Sequence, residues 1–137
     1  MIGKIMRNTK KKKMITEQTN LFDEIIEECC SNPITGFFRN GFCHTDELDR
    51  GLHIVCSLIT DDFLRFSKSR GNDLSTPRPE FNFPGLAEGD SWCVCAERWK
   101  EAYEQGFAPK VFLKRTHKKA ATIIDIEILK EYAVDLN

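Results

Sequence analysis

Apolar positions along this chain change their period several times, and each change marks a predicted element. Residues 21–30 (LFDEIIEECC) place Phe22, Ile25, Ile26 and Cys29 at helical intervals, with Asp23 and Glu24 suited to a first turn. That spacing predicts a helix, ended by Ser31-Asn32-Pro33. Between 36 and 52, Gly36, Gly41 and Gly51 stand among polar residues and predict turns around short extended pieces. Residues 53–59 (HIVCSLI) are β-branched and apolar, the strongest strand pattern in the chain. Thr60 then predicts an N-cap, followed by Asp61 and Asp62 in a first turn. Phe63, Leu64 and Phe66 supply the apolar stripe, and Gly71 the stop.

Residues 71–90 (GNDLSTPRPEFNFPGLAEGD) hold three prolines and three glycines, so no regular element is expected there. A stretch of that length inside a small domain points to a functional or a disordered segment. Leu74, Phe81, Phe83 and Leu86 favour one that is packed down and ordered. Asp90 predicts the cap of a helix running to Gly106, with Trp92, Cys95, Ala96, Trp99 and Tyr103 on one face. Residues 110–115 (KVFLKR) alternate as a strand, with Val111 and Leu113 on one side. Thr116 predicts the cap of a short helix through Ala121. Asp125 predicts the cap of the last helix, which turns Ile126, Leu129, Ala133 and Leu136 inward. No internal repeat is seen. The sum is an α+β fold: a small sheet packed by three to five short helices, with a long Gly/Pro-rich ordered loop.

Composition narrows the function classes. The 137 residues suit one domain, and 41% hydrophobic content suffices for a core. No stretch approaches the roughly 18–20 apolar residues of a membrane span. Residues 1–13 carry six Lys/Arg and no acid, which leaves residues 14–137 with fourteen basic and twenty-one acidic residues, a net charge of −7. A body that acidic disfavours general binding of nucleic-acid backbones. The basic run reads as a solvated, disordered tail over 1–19, ahead of a single domain over 20–134, and Met14 offers an alternative start. No apolar segment follows the basic residues as in a secretory signal, so a cytoplasmic protein with reduced thiols is expected. Six cysteines, an even number, keep disulfides open as the alternative.

Three kinds of chemistry are legible. Cys43, Cys93, Cys95, His53 and His117 are the thiolate and imidazole ligands that zinc or iron would use. Cys93-x-Cys95 is not a zinc-knuckle spacing, however, and the pair shares a side only if 92–95 is extended. The plain alternative makes these cysteines small buried hydrophobes. Thiol chemistry is the second kind: Cys93 in the first turn of a helix, with His53 or His117 as base. The third is the loop, where Asn72, Asp73, Ser75, Thr76, Arg78 and Glu80 form a ligand-binding pattern. Arg78 would clamp a carboxylate or phosphate, with Arg39 or Arg98 as a second cation. Against this, Asp73, Ser75 and Thr76 would simply satisfy turn backbone, and Arg78 would make an internal ion pair. Trp92 and Trp99 read as core, and His44 as an exposed bystander.

Several runs together carry a resemblance. Pro33-Ile34-Thr35-Gly36-Phe37, Arg39-Asn40-Gly41-Phe42-Cys43 and the stretch from Gly71-Asn72-Asp73-Leu74-Ser75-Thr76-Pro77 to Arg78-Pro79-Glu80 are three of them. Phe83-Pro84-Gly85-Leu86, Gly89-Asp90-x-Trp92-Cys93-x-Cys95 and Thr116-His117 complete the pattern. Over residues 20–134 the chain resembles the family called domain of unknown function 2237, small and mostly bacterial proteins. The resemblance implies no reaction. It does imply an extended opening segment, where residues 21–30 here follow helical spacing. Two functions therefore stay open. One is a domain that binds a small molecule or metal ion in a pocket built from the 71–90 loop and the nearby Cys, His and Arg residues. The other is a non-catalytic structural or protein-interaction module with buried cysteines.

Overall fold

The computed structural model describes residues 18–136. The basic run and Met14 lie outside them, while Gln18 and Thr19 are already hydrogen-bonded into the fold, Gln18 Nε2 donating to the Thr45 carbonyl at 2.7 Å. The central element is the strand β1 (His53–Leu58), whose Ile54, Val55 and Cys56 are fully buried. Helix α1 (Asp61–Ser69) follows, with Thr60 Oγ1 accepting the Phe63 N–H at 3.1 Å. Strand β2 (Ser91–Cys95) runs directly into helix α2 (Ala96–Glu104). A two-residue strand β3 (Lys110–Val111) and a last helix α3 (Ile126–Glu131) complete the α+β fold. The three strands form an antiparallel sheet in the order β2-β1-β3.

Alternation along the strands splits the protein into two cores. Cross-strand pair Val55–Val94 faces the larger one, which also holds Ile54, Phe63, Trp99, Leu113 and Leu129. The neighbouring pair Cys56–Cys93 faces the other way, into a small cluster with Ile26, Cys29 and Cys43. The segment from 26 to 43 covers that second face. Its Thr35 hydroxyl accepts the outward N–H of Cys93 at 2.9 Å, on the far side of β2 from β1.

Three predicted elements are corrected. Residues 21–30 are irregular and extended, as the family resemblance implied. Asn20 Oδ1 accepts the N–H groups of Phe22 and Glu24 and turns the chain, and Asp23 is left-handed at φ 62°. Downstream donors leave for distant acceptors: Glu27 N–H to Lys114 O at 3.0 Å, Cys29 N–H to Gly41 O at 2.8 Å. The apparent helical stripe is therefore not one face, since Ile25 is 83% exposed while Ile26 is buried. Second, the helix expected from Asp90 begins only at Ala96. Asp90 caps a turn, its carboxylate accepting the Ala87 N–H at 2.9 Å, and the run Trp92-Cys93-Val94-Cys95 is a strand. Third, the strand over 110–115 stops after Val111, because the Asp135 carboxylate takes the N–H groups of Leu113 (2.8 Å) and Lys114 (2.9 Å). The cap expected at Thr116 belongs to His117, ahead of the 3-10 turn Lys118–Thr122. Asp125 does cap α3, although Leu136 remains exposed.

The loop over 71–90 is irregular apart from the 3-10 turn Pro79–Phe81, which Arg78 and Phe83 close by exchanging hydrogen bonds of 2.7 and 3.1 Å. Leu86 anchors it in the core, and a Cβ on Gly85 would stand 2.5 Å from the Ser75 carbonyl, so the two limbs touch only because this residue is glycine. Phe81, expected to pack, is 66% exposed.

Candidate functional site

A cavity of about 780 Å³ opens along the free edge of β2, within the range of small-molecule sites. Its walls come from the strand itself (Trp92 to Cys95), the turn bearing Phe37 and Arg39, the start of β1 (His53), the loop (Asn72 to Phe83) and the first turn of α2 (Arg98). Of the residues singled out from the sequence, Arg39, His53, Asn72, Asp73, Arg78, Cys93, Cys95 and Arg98 line it. Ser75, Thr76, Glu80, Cys43 and His117 do not.

Each absence has a use. The Asp73 carboxylate accepts the N–H and hydroxyl of Ser75 (2.9 and 3.0 Å) and of Thr76 (3.2 and 2.6 Å), which knots the loop. Glu80 pairs with Arg78 Nε at 3.1 Å on the surface. His117 accepts the Lys119 N–H on Nδ1 at 3.0 Å, as a cap. The expected bystander His44 is half-buried, stacked on Phe42 with centroids 4.9 Å apart. Burial pushes its pKa down.

The knot around Asp73 has a measurable consequence. The Thr76 hydroxyl, then the Ser75 N–H, stabilise the charged form and hold this carboxyl well below the usual carboxylate range. A depressed carboxyl contributes stability that is full above the ordinary value and lost as the pH falls through the depressed one. The Asp73 carboxyl resonance in an NMR titration is therefore expected to stay in its ionised position through the pH range in which an ordinary aspartate titrates, and Thr76→Ala to move the midpoint toward the ordinary value of about 3.9. An ordinary midpoint in the unaltered protein would contradict the geometry.

The cations are placed differently from one another. Arg39 lies over the Trp92 ring at 5.2 Å and donates to the Gly36 carbonyl; it makes no carboxylate ion pair among the described residues. Arg78 engages Glu80 through Nε alone, and Arg98 holds Glu101 and the Arg70 carbonyl through one terminal nitrogen. Each of these two keeps the rest of its guanidinium fork.

Two groups with reactive chemistry share the same wall. Cys95 is a free, partly exposed thiol, and it is the N-cap residue of α2. Opposite it across the sheet stands His53, whose Nδ1 is 2.6 Å from Asp49 Oδ1. Asp49 was not singled out from the sequence. It is 1% exposed, and its Oδ2 also accepts from the Thr45 hydroxyl (3.0 Å) and the His53 N–H (2.9 Å). The only sequence signal was an acid four residues ahead of a histidine.

Cys30 is also free, but the other four cysteines are not the reduced thiols expected of a cytoplasmic chain. Cys29 is bonded to Cys56 and Cys43 to Cys93, because the cross-strand pair Cys56–Cys93 presents both sulfurs to the segment carrying Cys29 and Cys43. The ligand set expected for zinc or iron changes accordingly. The sulfurs of Cys29, Cys43 and Cys93 lie within 4.8 Å of one another, while His53, Cys95 and His117 belong to no converging ligand group among the described residues. Because 92–95 is extended, Cys93 and Cys95 do share a side, yet one is bonded to Cys43 and the other is free. Bonded sulfurs are not thiolates, so the cluster as it stands does not fit a metal; it would have to be reduced first.

Fold and site together define a small α+β protein with a doubly cross-linked sheet face and an arginine-bearing cavity at the sheet edge. The chain belongs to the family described as uncharacterized proteins conserved in bacteria, domain of unknown function 2237, whose model matches residues 19–133. A comparison with curated proteins finds no match. No helix among the described residues is long and apolar enough to cross a membrane.

Proposed function

We propose that the cavity binds a small anionic molecule, a carboxylate or a phosphate ester. The observation that carries this is the state of its charges: Arg39, Arg78 and Arg98 line one space, and the single carboxylate among the lining residues, Asp73, is consumed by its own loop. Within a body of net charge −7 over residues 14–137, such a grouping calls for a reason. Arg39 supplies it most directly, since a planar guanidinium with no carboxylate partner among the described residues suits bidentate recognition of an anion. Trp92 offers an apolar wall and a built-in reporter.

Titration with succinate and with inorganic phosphate, followed by tryptophan fluorescence, tests this. A saturable response is expected, weakened roughly ten- to a hundredfold in Arg39→Ala, as for loss of a charged hydrogen bond of about 1.5–3 kcal/mol. No saturable response to either anion at millimolar concentration would refute the reading.

The closeness of Cys29, Cys43 and Cys93 supports a second reading, in which the reduced cluster holds zinc or iron. Elemental analysis of protein purified with reductant tests it, with one equivalent of metal expected and none overturning it. Placement in the cytoplasm goes with that reduced form, since two disulfides fit an oxidising compartment better.

A further inference from the structure

The structure assigns a nucleophilic role to Cys95: with His53 as its base and Asp49 as a positioning residue, it forms a transient acyl-thioester with an anionic ester bound in the cavity. This rests on the reading of the cavity as an anion site and gives that site a reaction.

Three placements converge. The register of β1 on β2 slips between His53 and Val55, which brings His53 opposite Cys95. A bulge of this kind re-aims a side chain, and directly opposed residues of an antiparallel pair share a face with Cβ atoms about 4.5–5.5 Å apart. Both residues line the cavity. The second placement is the tautomer. Asp49, buried and accepting from the Thr45 hydroxyl and the His53 backbone, is a carboxylate with acceptors only, so His53 Nδ1 must carry the proton it shares at 2.6 Å. Nε2 is then the basic nitrogen. The imidazole lies over Gly51, where a Cβ would stand 2.7 Å from Cε1, so its position needs a glycine beneath it. The third is the junction itself. Cys95 ends a strand and caps a nine-residue helix without a side-chain capping bond; the Ala96 N–H is given to the Leu52 carbonyl, and the positive end of the helix lies beside the place where negative charge would develop.

The step balances without any oxidant or reductant. The Cys95 proton passes to His53 Nε2 as Sγ bonds to the ester carbonyl carbon. The C–O bond to the alcohol breaks, and the alkoxide takes the proton from the imidazolium. Water then gives its proton to Nε2 and its oxygen to the acyl carbon, the C–S bond breaks, and the proton returns to Sγ. Ester and water become acid and alcohol. Arg39 and Arg98 would hold the charged end of the acyl group.

The probe is mono-(4-nitrophenyl) succinate, with 4-nitrophenyl acetate as its neutral counterpart, on the full chain without reductant so that the disulfides stay intact. A burst of about one equivalent of nitrophenolate is expected, with the succinyl group on Cys95 by peptide mass spectrometry. Cys95→Ser removes the burst. His53→Gln slows acylation about a hundredfold or more while phosphate still binds, which shows the variant is folded. Asp49→Asn slows the burst and changes its pH dependence, whereas Cys30→Ser, at the other free thiol, leaves it unchanged. Acylation of Cys30 as readily as Cys95, or an unchanged rate in His53→Gln, overturns the proposal. Equal rates with the acetate and succinate esters, with Cys95 and His53 still required, would uphold the thiol chemistry and refute the anion reading alone.

Discussion

Replacing Cys43 and Cys93 together by serine is expected to lower the unfolding free energy by about 4 kcal/mol, the chain-entropy value for a closed loop of this size. The bridge spans 50 residues of sequence and ties the segment over the second core to the middle of β2. The same pair of changes puts two hydroxyls among Ile26, Cys29, Cys56 and Phe42, so the measured loss should not fall short of the entropic one. Against a typical total of about 5–15 kcal/mol, that is a large share. Urea unfolding of the double variant, with Cys29–Cys56 still formed, gives the number. An unchanged midpoint would mean that the two sulfurs are not bonded in solution.

The largest packing effect is expected at Trp99. Its ring is fully buried between sheet and helices, meets Tyr103 and Tyr132 at centroid distances of 5.9 and 5.2 Å, and donates from Nε1 to the Pro109 carbonyl at 3.1 Å. Trp99→Ala should cost about 3–5 kcal/mol by cavity formation. Trp99→Phe keeps most of the ring contact but strands a buried carbonyl, for about 1–3 kcal/mol. A shift in urea midpoint of the same size for both variants would show that the hydrogen bond, not the volume, dominates.

What the sequence made legible follows from where the determining interactions lie. The strand at 53–58 and the helix after Thr60 were readable because their patterns and caps are local: β-branched residues in one, Thr60 and two aspartates in the other. Residues 21–30 misled because helical spacing of apolar residues says nothing about Asn20, whose side chain turns the chain before a helix can start. The strand at 91–95 hid inside a helical pattern because Trp92, Cys95 and Trp99 recur at helical spacing across its junction with α2, although in the strand Trp92 and Cys95 face opposite ways. Of the cavity, the arginines and His53 were visible as residue types. That Cys95, not Cys93, is the free thiol depends on which of two cysteines on the same side of β2 stands against Cys43, and so on pairing across 50 residues. Asp49 was invisible for the same reason: its importance comes from burial.

The Thr35 hydroxyl that receives the Cys93 N–H also bears on how copies of this protein behave toward each other. A sheet border with unmet N–H and C=O groups is a template on which a second chain can add a strand. Here one border is occupied at its midpoint by a side chain from the segment that Cys43 fastens down, and the other is a strand of only two residues, bridged at Val111 by Ala133. Breaking the Cys43–Cys93 bond would therefore do more than loosen the fold. It would free the flap that shields the border of β2, and recombination between chains along that border becomes the route by which a reduced preparation aggregates.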